Sequence, residues 1–329
     1  MMLPNGEALA DTEIRTVLHT EFGVLADAIV PTMGGWSALA YRVCSSRGTF
    51  FLKVYDKARS GTGSLLEKLN LGMEVSSWLE CHTGLRGRVN APLRTQSGKV
   101  RADTEHYAYV LFSYIDGTTP ATTPLSTVQQ QELARIVGEL HREAARMPFS
   151  FQGVQEIFNI PCADLLDMPR NPHDSLCVYQ QHDMLMQAID QAFVLAEHVQ
   201  AERLPFVLCH ADIHGWNLMQ RDKLVLIDWE SIRFAPVEAD LFSFWGDWHW
   251  GDSHWGSYWN TVLPIYQQYN PQYMVRENVL HFYQLRRHIE DVNDFYRQYV
   301  HDDMKDEERR EVVRCLEREC MFLDLLLRT

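Results

Sequence analysis

Five polar residues follow one another at fixed intervals in the segment LCHADIHGWNLMQRDKLVLIDWE: His210, Asp212, His214, Asn217 and Asp228. Asp212 and Asn217 are five apart on a predicted loop between two short β runs, and Asp228 ends the second run. Phosphoryl transfer needs one carboxylate to accept the proton of the attacking hydroxyl, with an amide and a second carboxylate to hold Mg²⁺. The order Asp-x-x-x-x-Asn, strand, Asp supplies these groups in the pattern of a kinase catalytic loop.

Two other interpretations compete with this one. Asp and Asn favour turns, so each residue alone is typical of an ordinary hairpin. The ordered set between two β runs favours a functional site instead. His210, Asp212 and His214 also offer three metal ligands within five residues. No further His or Cys pattern completes a dedicated metal site, so a metal cluster is the weaker alternative.

The elements around this segment predict an α+β chain with a β-rich first lobe and a mostly helical second lobe. In the first lobe, ADTEIRTVLHTEFG and LLEKLNLGMEVSSWLECHTG have helical patterns, and AIVPTM, ALAYRVC, TFFLKVY and HYAYVLFSYI read as strands. Ser126 and Gln129 predict a capping box at the start of a helix. Asp116-Gly117 and the TTPATTP stretch mark a composition break, so we expect lobes at 1–115 and 116–329.

VLCHADIHGWNLM and LVLIDWE resemble the signature of the aminoglycoside phosphotransferase and choline kinase superfamily. That signature runs His-Gly-Asp-x-His-x-x-Asn, followed by Ile-Asp-Trp or Ile-Asp-Phe. The resemblance implies a bilobal, protein-kinase-like fold. It also implies that Asp212 is the catalytic base and that Asn217 and Asp228 are Mg²⁺ ligands.

The resemblance extends to residues that support the loop. It implies that His210 and His214 shape the loop and that Asp240, in APVEADLF, supports it from behind. Two positions depart from the family pattern. Ala211 replaces the usual Gly, and Trp216 stands where a small residue commonly precedes the Asn. Neither departure removes a catalytic group.

Lys53, in FFLKVY, is the candidate cation for the nucleotide phosphates. Strand alternation would leave it on a mostly apolar face, where a lysine is costly unless it meets an anion; a solvated lysine on an edge strand is the alternative. Glu74, with Glu67 as the alternative, is the predicted helical partner of Lys53. The resemblance implies ATP, with GTP as the other option, and Mg²⁺. It also places the nucleotide against Gly34, Gly35, Ser37 and the backbones of Ser113 and Ile115.

The acceptor is expected to be a small molecule, because only twelve residues separate Asp228 from Asp240 and no Ala-Pro-Glu follows. That leaves no room for a protein-kinase activation segment. The late stretch FYQLRRHIEDVNDFY is similar to the spectinomycin phosphotransferase branch, which implies an aminoglycoside or aminocyclitol acceptor and a role in antibiotic resistance. Choline, another amino alcohol and a sugar are alternatives. A catalytically silent nucleotide-binding protein is the alternative of a different class.

Candidate acceptor contacts lie in two tracts. One tract is the Trp-rich repeat WGDWHWGDSHWG; the alternative interpretation is that its aromatic residues only pack between two helices. The other is the charged helix in FYQLRRHIEDVNDFY; the alternative interpretation is that its charges form a solvated face. The candidates are Asp247, Asp252, Arg287, Glu290, Asp291 and Asp294.

Composition narrows the partners. A formal net charge of −14 disfavours nucleic acid and suits a cationic acceptor. The chain has no run of eighteen apolar residues, so we expect no membrane helix. It also shows no secretion signal, so we expect a cytoplasmic protein, either a monomer or a homodimer. The seven cysteines are scattered without a CxxC pair, which favours free thiols.

Overall fold

The fold is described from a computed structural model that covers residues 11–32, 38–59, 62–170, 175–246, 249–250, 253–254, 258–302 and 304–328. It is an α+β fold with a β-rich first lobe and a mostly helical second lobe, which confirms the predicted class. The division at 115/116 stays a prediction. Among the described residues, no helix is both long and apolar enough to cross a membrane.

The first lobe is an antiparallel sheet flanked by two helices. The helices are α1 (Asp11–Phe22) and α2 (Thr62–His82). The strands are β1 (Ala26–Pro31), β2 (Leu39–Ser45), β3 (Gly48–Asp56), β4 (Pro92–Leu93), β5 (Ala102–Asp103) and β6 (Tyr107–Ser113). They pair in the order β1-β2-β3-β6-β4, with β5 also on β6. Ser45 pairs with Gly48, so SSRG forms the predicted tight hairpin.

The second lobe contains most of the helices. They are α3 (Thr127–Glu143), α4 (Ala163–Leu166), α5 (Cys177–Gln180), α6 (His182–Ala201), α7 (Glu238–Leu241), α8 (Trp259–Tyr269), α9 (Glu277–His301) and α10 (Asp306–Leu327). Ser126 and Gln129 form the predicted capping box at the start of α3. Helix α8 contains Pro264.

Short strands hold the catalytic segment in place. They are β7 (Val207–Cys209), β8 (Leu218–Gln220), β9 (Leu224–Leu226), β10 (Arg233–Ala235), β11 (His249–Trp250) and β12 (Ser253–His254). β7 pairs with β10, and β8 pairs with β9. The loop that carries Asp212 therefore connects β7, in the β7–β10 pair, to β8, in the β8–β9 pair. Both pairs rest on the main hydrophobic core, which buries Leu208, Leu218 and Leu226.

The connection between the lobes is tied to the catalytic hairpin. Thr118 and Gln220 exchange backbone hydrogen bonds of 2.9 and 2.7 Å. A Cβ on Gly117 would lie 2.5 Å from the carbonyl oxygen of Gln220, so only glycine allows this close approach. The segment that connects the lobes after β6 is therefore held directly against β8.

Candidate active site

Asp240 anchors the start of the catalytic loop. Its carboxylate accepts hydrogen bonds from the backbone N–H groups of His210 at 3.0 Å and Ala211 at 2.6 Å, and it bonds His141 at 2.9 Å. Ala211 has a φ of +63°, a left-handed conformation that favours glycine. The family glycine that Ala211 replaces therefore corresponds to a real backbone requirement. The two bonds to Asp240 hold the alanine in that conformation.

Asp212 and Asn217 face each other across one turn of 3₁₀-helix, Gly215–Asn217. The Asn217 amide donates to the Asp212 carboxylate at 2.8 Å and to its carbonyl at 2.9 Å. His214 Nε2 lies 3.4 Å from the Asp212 carboxylate. His210 is buried and donates from Nε2 to the Ile227 carbonyl at 3.0 Å. Among the described residues, the ligand atoms of His210, Asp212 and His214 do not come close enough together to form a three-ligand metal site.

The carboxylate of Asp212 is kept ionised by cations. Arg287, on α9, donates to its second oxygen at 3.0 Å and also bonds Asp291 at 3.0 Å. Burial by itself opposes ionisation of Asp212. His214 and Arg287 outweigh that effect and hold the pKa of the Asp212 carboxyl below its ordinary value. Asp212 is therefore a negatively charged proton acceptor at neutral pH.

Asp228 lies beside Asn217 because of the β8–β9 hairpin. The N–H of Ile227 donates to the carbonyl of Asn217 at 3.0 Å, so the next residue, Asp228, emerges at the same edge. Asp228 has a φ of +69°. Asn217 uses its amide nitrogen on Asp212, and its side-chain oxygen makes no hydrogen bond within the described part of the chain. An amide oxygen and a carboxylate are the hard oxygen ligands that Mg²⁺ prefers, so the pair fits this ion.

Lys53 connects the first lobe to this edge. Its ammonium group, buried on β3, donates to Asp228 at 2.7 Å and to Glu230 at 2.5 Å. Glu230 also accepts a hydrogen bond from the Tyr55 hydroxyl. Burial would lower the pKa of Lys53, but Asp228 and Glu230 raise it above its ordinary value. Burial and Asp228 raise the pKa of Glu230 to about 7, against the effect of Lys53.

The predicted pairing of Lys53 with an acid on α2 is not present. Glu74 forms a two-pronged ion pair with Arg94, at 2.6 and 3.0 Å, on the surface of the first lobe. Glu67, the alternative, is exposed. No acid of α2 reaches Lys53 because the inner face of this helix carries Gly72. A Cβ there would lie 1.8 Å from the Trp229 carbonyl, so backbone, not an acid, fills this space.

A small, open cleft adjoins the loop on the second-lobe side. Ala211 lines it on one side, and Arg287 and Glu290 of α9 line it on another. Because Ala211 precedes Asp212 and Arg287 bonds to it, this cleft adjoins the loop that carries Asp212. This cleft is the candidate acceptor site.

A family model described as "Phosphotransferase enzyme family" matches residues 29–273. The match covers most of the chain and includes every residue of the catalytic loop. The chain belongs to the phosphotransferase enzyme family. The resemblance inferred from the motifs is thereby confirmed, and we class the protein as a small-molecule O-phosphotransferase.

Solved phosphotransferase structures share the fold over nearly the whole chain. A spectinomycin phosphotransferase solved with ADP and spectinomycin is 17% identical, with a TM-score of 0.74, and the match covers 98% of this chain and 100% of that one. A microcompartment-associated aminopropanol kinase is 15% identical, with a TM-score of 0.66, covering 96% and 97%. A choline kinase from Streptococcus pneumoniae is 14% identical, with a TM-score of 0.59, covering 95% and 98%. No curated protein sequence matches the chain significantly.

Several predicted site residues of this phosphotransferase are not close to the catalytic groups or lie outside the described residues. Gly34, Gly35, Ser37, Asp247 and Asp252 lie outside the described residues. Ser113 ends β6, and Ile115 follows it in the lobe connection, where their contact with adenine stays a prediction. Asp294 lies two turns along α9 from Arg287 and pairs with Arg297 at 2.8 Å.

Sequence reasoning missed Glu230 and the cluster around Glu156. Glu230 follows Asp228 by two residues, and that i, i+2 placement after a strand was the available signal. Glu156 is buried and bonds Arg286 at 2.6 Å and Arg233 at 3.2 Å. These residues come from three distant segments, so no local pattern connects them.

Proposed function

We propose that the protein transfers the γ-phosphate of ATP to a hydroxyl group of a small amine, with Asp212 as the catalytic base. The observation that carries this proposal is the convergence of two pairs at one edge of the β8–β9 hairpin. Asn217 bonds Asp212 at 2.8 Å, and Lys53 bonds Asp228 at 2.7 Å. One pair suits an acceptor hydroxyl and the other suits nucleotide phosphates.

The nucleotide is proposed to be ATP, with GTP as the alternative. Support comes from related folds solved with nucleotides: the spectinomycin phosphotransferase with ADP, and an amicoumacin kinase with AMP-PNP and Ca²⁺. Mg²⁺ bound by Asn217 and Asp228 would neutralise charge on the phosphates. Lys53 exchanges a carboxylate contact for a phosphate when the nucleotide arrives. A cytoplasmic location, where ATP is available, is part of this proposal.

The metal assignment has a direct test. Replacing Asp228 with Ala removes one of the two oxygen ligands, so ATP should no longer raise the unfolding temperature in a Mg²⁺-dependent way. Thermal-shift titrations of ATP with and without Mg²⁺ measure this. If the variant keeps the full Mg²⁺-dependent shift, the ligand assignment is wrong. Zinc that stays with the protein through purification, detected by elemental analysis, would instead favour a metallohydrolase.

The acceptor is proposed to be a hydroxylated amine, with an aminoglycoside or aminocyclitol antibiotic as the leading class. Glu290 supports this, because it lines the cleft beside Asp212 and forms no ion pair among the described residues. An ammonium group would pair with it. Choline, another amino alcohol and a sugar remain alternatives. Arg287, expected as an acceptor contact, lines the cleft and also bonds Asp212, whereas Asp291, the other expected contact, bonds Arg287.

Turnover on a panel of acceptors tests the proposal. Purified protein with ATP and Mg²⁺ is assayed for acceptor-dependent ADP release on aminocyclitols, aminoglycosides, choline, amino alcohols and neutral sugars. We expect phosphate transfer to at least one hydroxylated amine. Transfer to a neutral sugar far above every amine would overturn the acceptor class and leave the kinase assignment standing. ATP binding without transfer to any acceptor would favour a silent binding protein.

A further inference from the structure

The cleft beside Asp212 offers more hydrogen-bond donors than acceptors. Its lining includes three arginines and one carboxylate: Arg233, Arg286, Arg287 and Glu290. Ser231 adds a hydroxyl group. Arg287 is engaged by Asp212 and Asp291, so it serves the catalytic base. Arg233 and Arg286 have no such role in the proposed reaction.

Arg233 and Arg286 share a single counter-ion. Oε2 of Glu156 accepts from Arg286 at 2.6 Å and from Arg233 at 3.2 Å. The other oxygen of Glu156 already accepts from the N–H groups of Ile157 at 2.9 Å and Phe158 at 2.7 Å. Two guanidinium charges therefore meet one carboxylate whose bonding capacity is filled. Glu290 is the other carboxylate near Arg233, and among the described residues it forms no ion pair with it.

Donors of both arginines remain unused. Arg286 is only 3% exposed, and its Nε makes no hydrogen bond among the described residues. The side chain of Arg233 donates from one terminal nitrogen to Glu156 and makes no other hydrogen bond within the described part of the chain. Buried donors without partners cost free energy, so a ligand with oxygen acceptors would be stabilised here. Guanidinium groups suit carboxylate and phosphate oxygens in particular.

A further cation faces the same group from the first lobe. Lys68, on α2, is half-buried, and it forms no ion pair among the residues that the structure describes. Burial lowers the pKa of Lys68, and the nearby Arg233 and Arg286 contribute, although Glu290 opposes them. The three cations Lys68, Arg233 and Arg286 therefore face two carboxylates, Glu156 and Glu290, and carry one positive charge in excess. An ion pair with a bound anion would offset this.

We propose that the acceptor carries an oxyanion group, a carboxylate or a phosphate ester, which Lys68, Arg233 and Arg286 bind beside the catalytic base. This inference rests on the proposed phosphate transfer to a hydroxylated amine, and within that class it favours acceptors with an oxyanion over aminoglycosides and aminocyclitols, which carry none. Glu290 binds the ammonium group in the same cleft, while the acceptor hydroxyl meets Asp212. The acceptor is then a hydroxylated zwitterion, not a simple cation.

Matched acceptors that differ by one oxyanion test this proposal. Homoserine is compared with 3-aminopropan-1-ol for the carboxylate, and serinol phosphate with serinol for the phosphate ester. In at least one pair, kcat/KM of the anionic member should exceed that of its partner by about tenfold or more, the effect of one charge-assisted hydrogen bond. The pair that shows the preference identifies the oxyanion.

Two variants test whether the preference for the anionic acceptor arises in the cleft. Lys68→Met and Arg233→Met should each reduce the ratio of kcat/KM between the anionic acceptor and its partner to below about threefold. Lys223→Met removes an exposed lysine from the β8–β9 turn and serves as the control, which should keep the full preference. Arg286 is left unchanged because its burial against Glu156 makes it important for folding.

The outcomes separate this proposal from the proposed function. Equal turnover within both pairs, or a preference that survives in both variants, overturns the oxyanion site while the kinase stands. If no acceptor is phosphorylated, the proposed function fails, and calorimetric binding of the same pairs decides the oxyanion site. Tighter binding of an anionic member that Arg233→Met abolishes supports it; equal or absent binding overturns it.

Discussion

Lys53 is held by two carboxylates that follow β9, at 2.7 Å from Asp228 and 2.5 Å from Glu230. An ammonium group buried on a strand is stable only with such partners. Since Asp228 is also the proposed metal ligand, Glu230 is the contact that remains for Lys53 when a metal is bound. The hydroxyl of Tyr55 fixes the Glu230 carboxylate in turn. We infer that Glu230 positions Lys53 for the nucleotide.

Replacing Glu230 should therefore impair nucleotide use. Glu230→Ala removes a charged hydrogen bond, so kcat/KM for ATP should fall by roughly tenfold or more. Glu230→Gln keeps an acceptor oxygen for Lys53 and should recover part of the loss. Glu74→Ala, which breaks only the surface pair with Arg94, is the control and should behave as the wild type. A larger loss in Glu74→Ala than in Glu230→Ala would restore the helical acid as the partner of Lys53.

Residue types and short spacings predicted one part of the site well. Asp212 and Asn217 lie on the same short loop, five residues apart, so their contact is local in the sequence. The partners of Lys53 and of Arg286 could not be predicted, because they lie 177 and 130 residues away in the chain. The contact of Lys53 depends on how the lobes pack, and the contact of Arg286 depends on how α9 packs within the second lobe. Glu74 illustrates the difficulty: it lies on the predicted helix but faces Arg94.

At the scale of elements, helix α2 packs directly on the loop that carries Asp228. The Trp229 carbonyl lies where a side chain at position 72 would begin. Trp229 is fully buried and donates from its indole to the Leu226 carbonyl at 3.3 Å, which fixes the loop in turn. The helix and the loop therefore move as one unit. The long helical and strand patterns were predictable, but this close contact depends on tertiary packing.

A methyl group at position 72 should disrupt this contact. Gly72→Ala places a Cβ within 1.8 Å of the Trp229 carbonyl, so α2 must shift, at a cost of about 1–3 kcal/mol or more in unfolding free energy. Gly63→Ala is the matched control on the same helix, because nothing lies within 4 Å of its added Cβ. Higher helix propensity should make that control neutral or slightly stabilising. Urea unfolding measures both; equal stability of the two variants would contradict the contact.

At the scale of the whole molecule, the two lobes share one hydrophobic core. Buried residues of α2, including Leu69 and Met73, belong to the same cluster as Trp229 and Leu226 of the catalytic segment and Val292 of α9. A second, smaller cluster packs α1 against the outer face of the first sheet. A shared core makes it costly to unfold one lobe while the other stays folded.

We therefore expect calorimetry to record a single main unfolding transition, with its midpoint raised by ATP and Mg²⁺ because ligands stabilise the state that binds them. Two well-separated transitions, with only one of them responding to ATP, would contradict a shared core. The intact chain distinguishes a single transition from two separate ones, so no truncated variant is needed.

The most direct test of the central claim is the kinetic effect of Asp212→Asn. The substitution keeps the size of the side chain but removes its negative charge and most of its basicity. The account predicts that ATP affinity stays within a few-fold while kcat falls by roughly 10²–10⁴, the contribution of a positioned general base. That loss corresponds to about 3–5 kcal/mol of transition-state stabilisation. Unchanged kcat, under conditions where chemistry limits turnover, would remove Asp212 from the mechanism, and loss of ATP binding together with activity would make it a metal ligand or a structural residue instead.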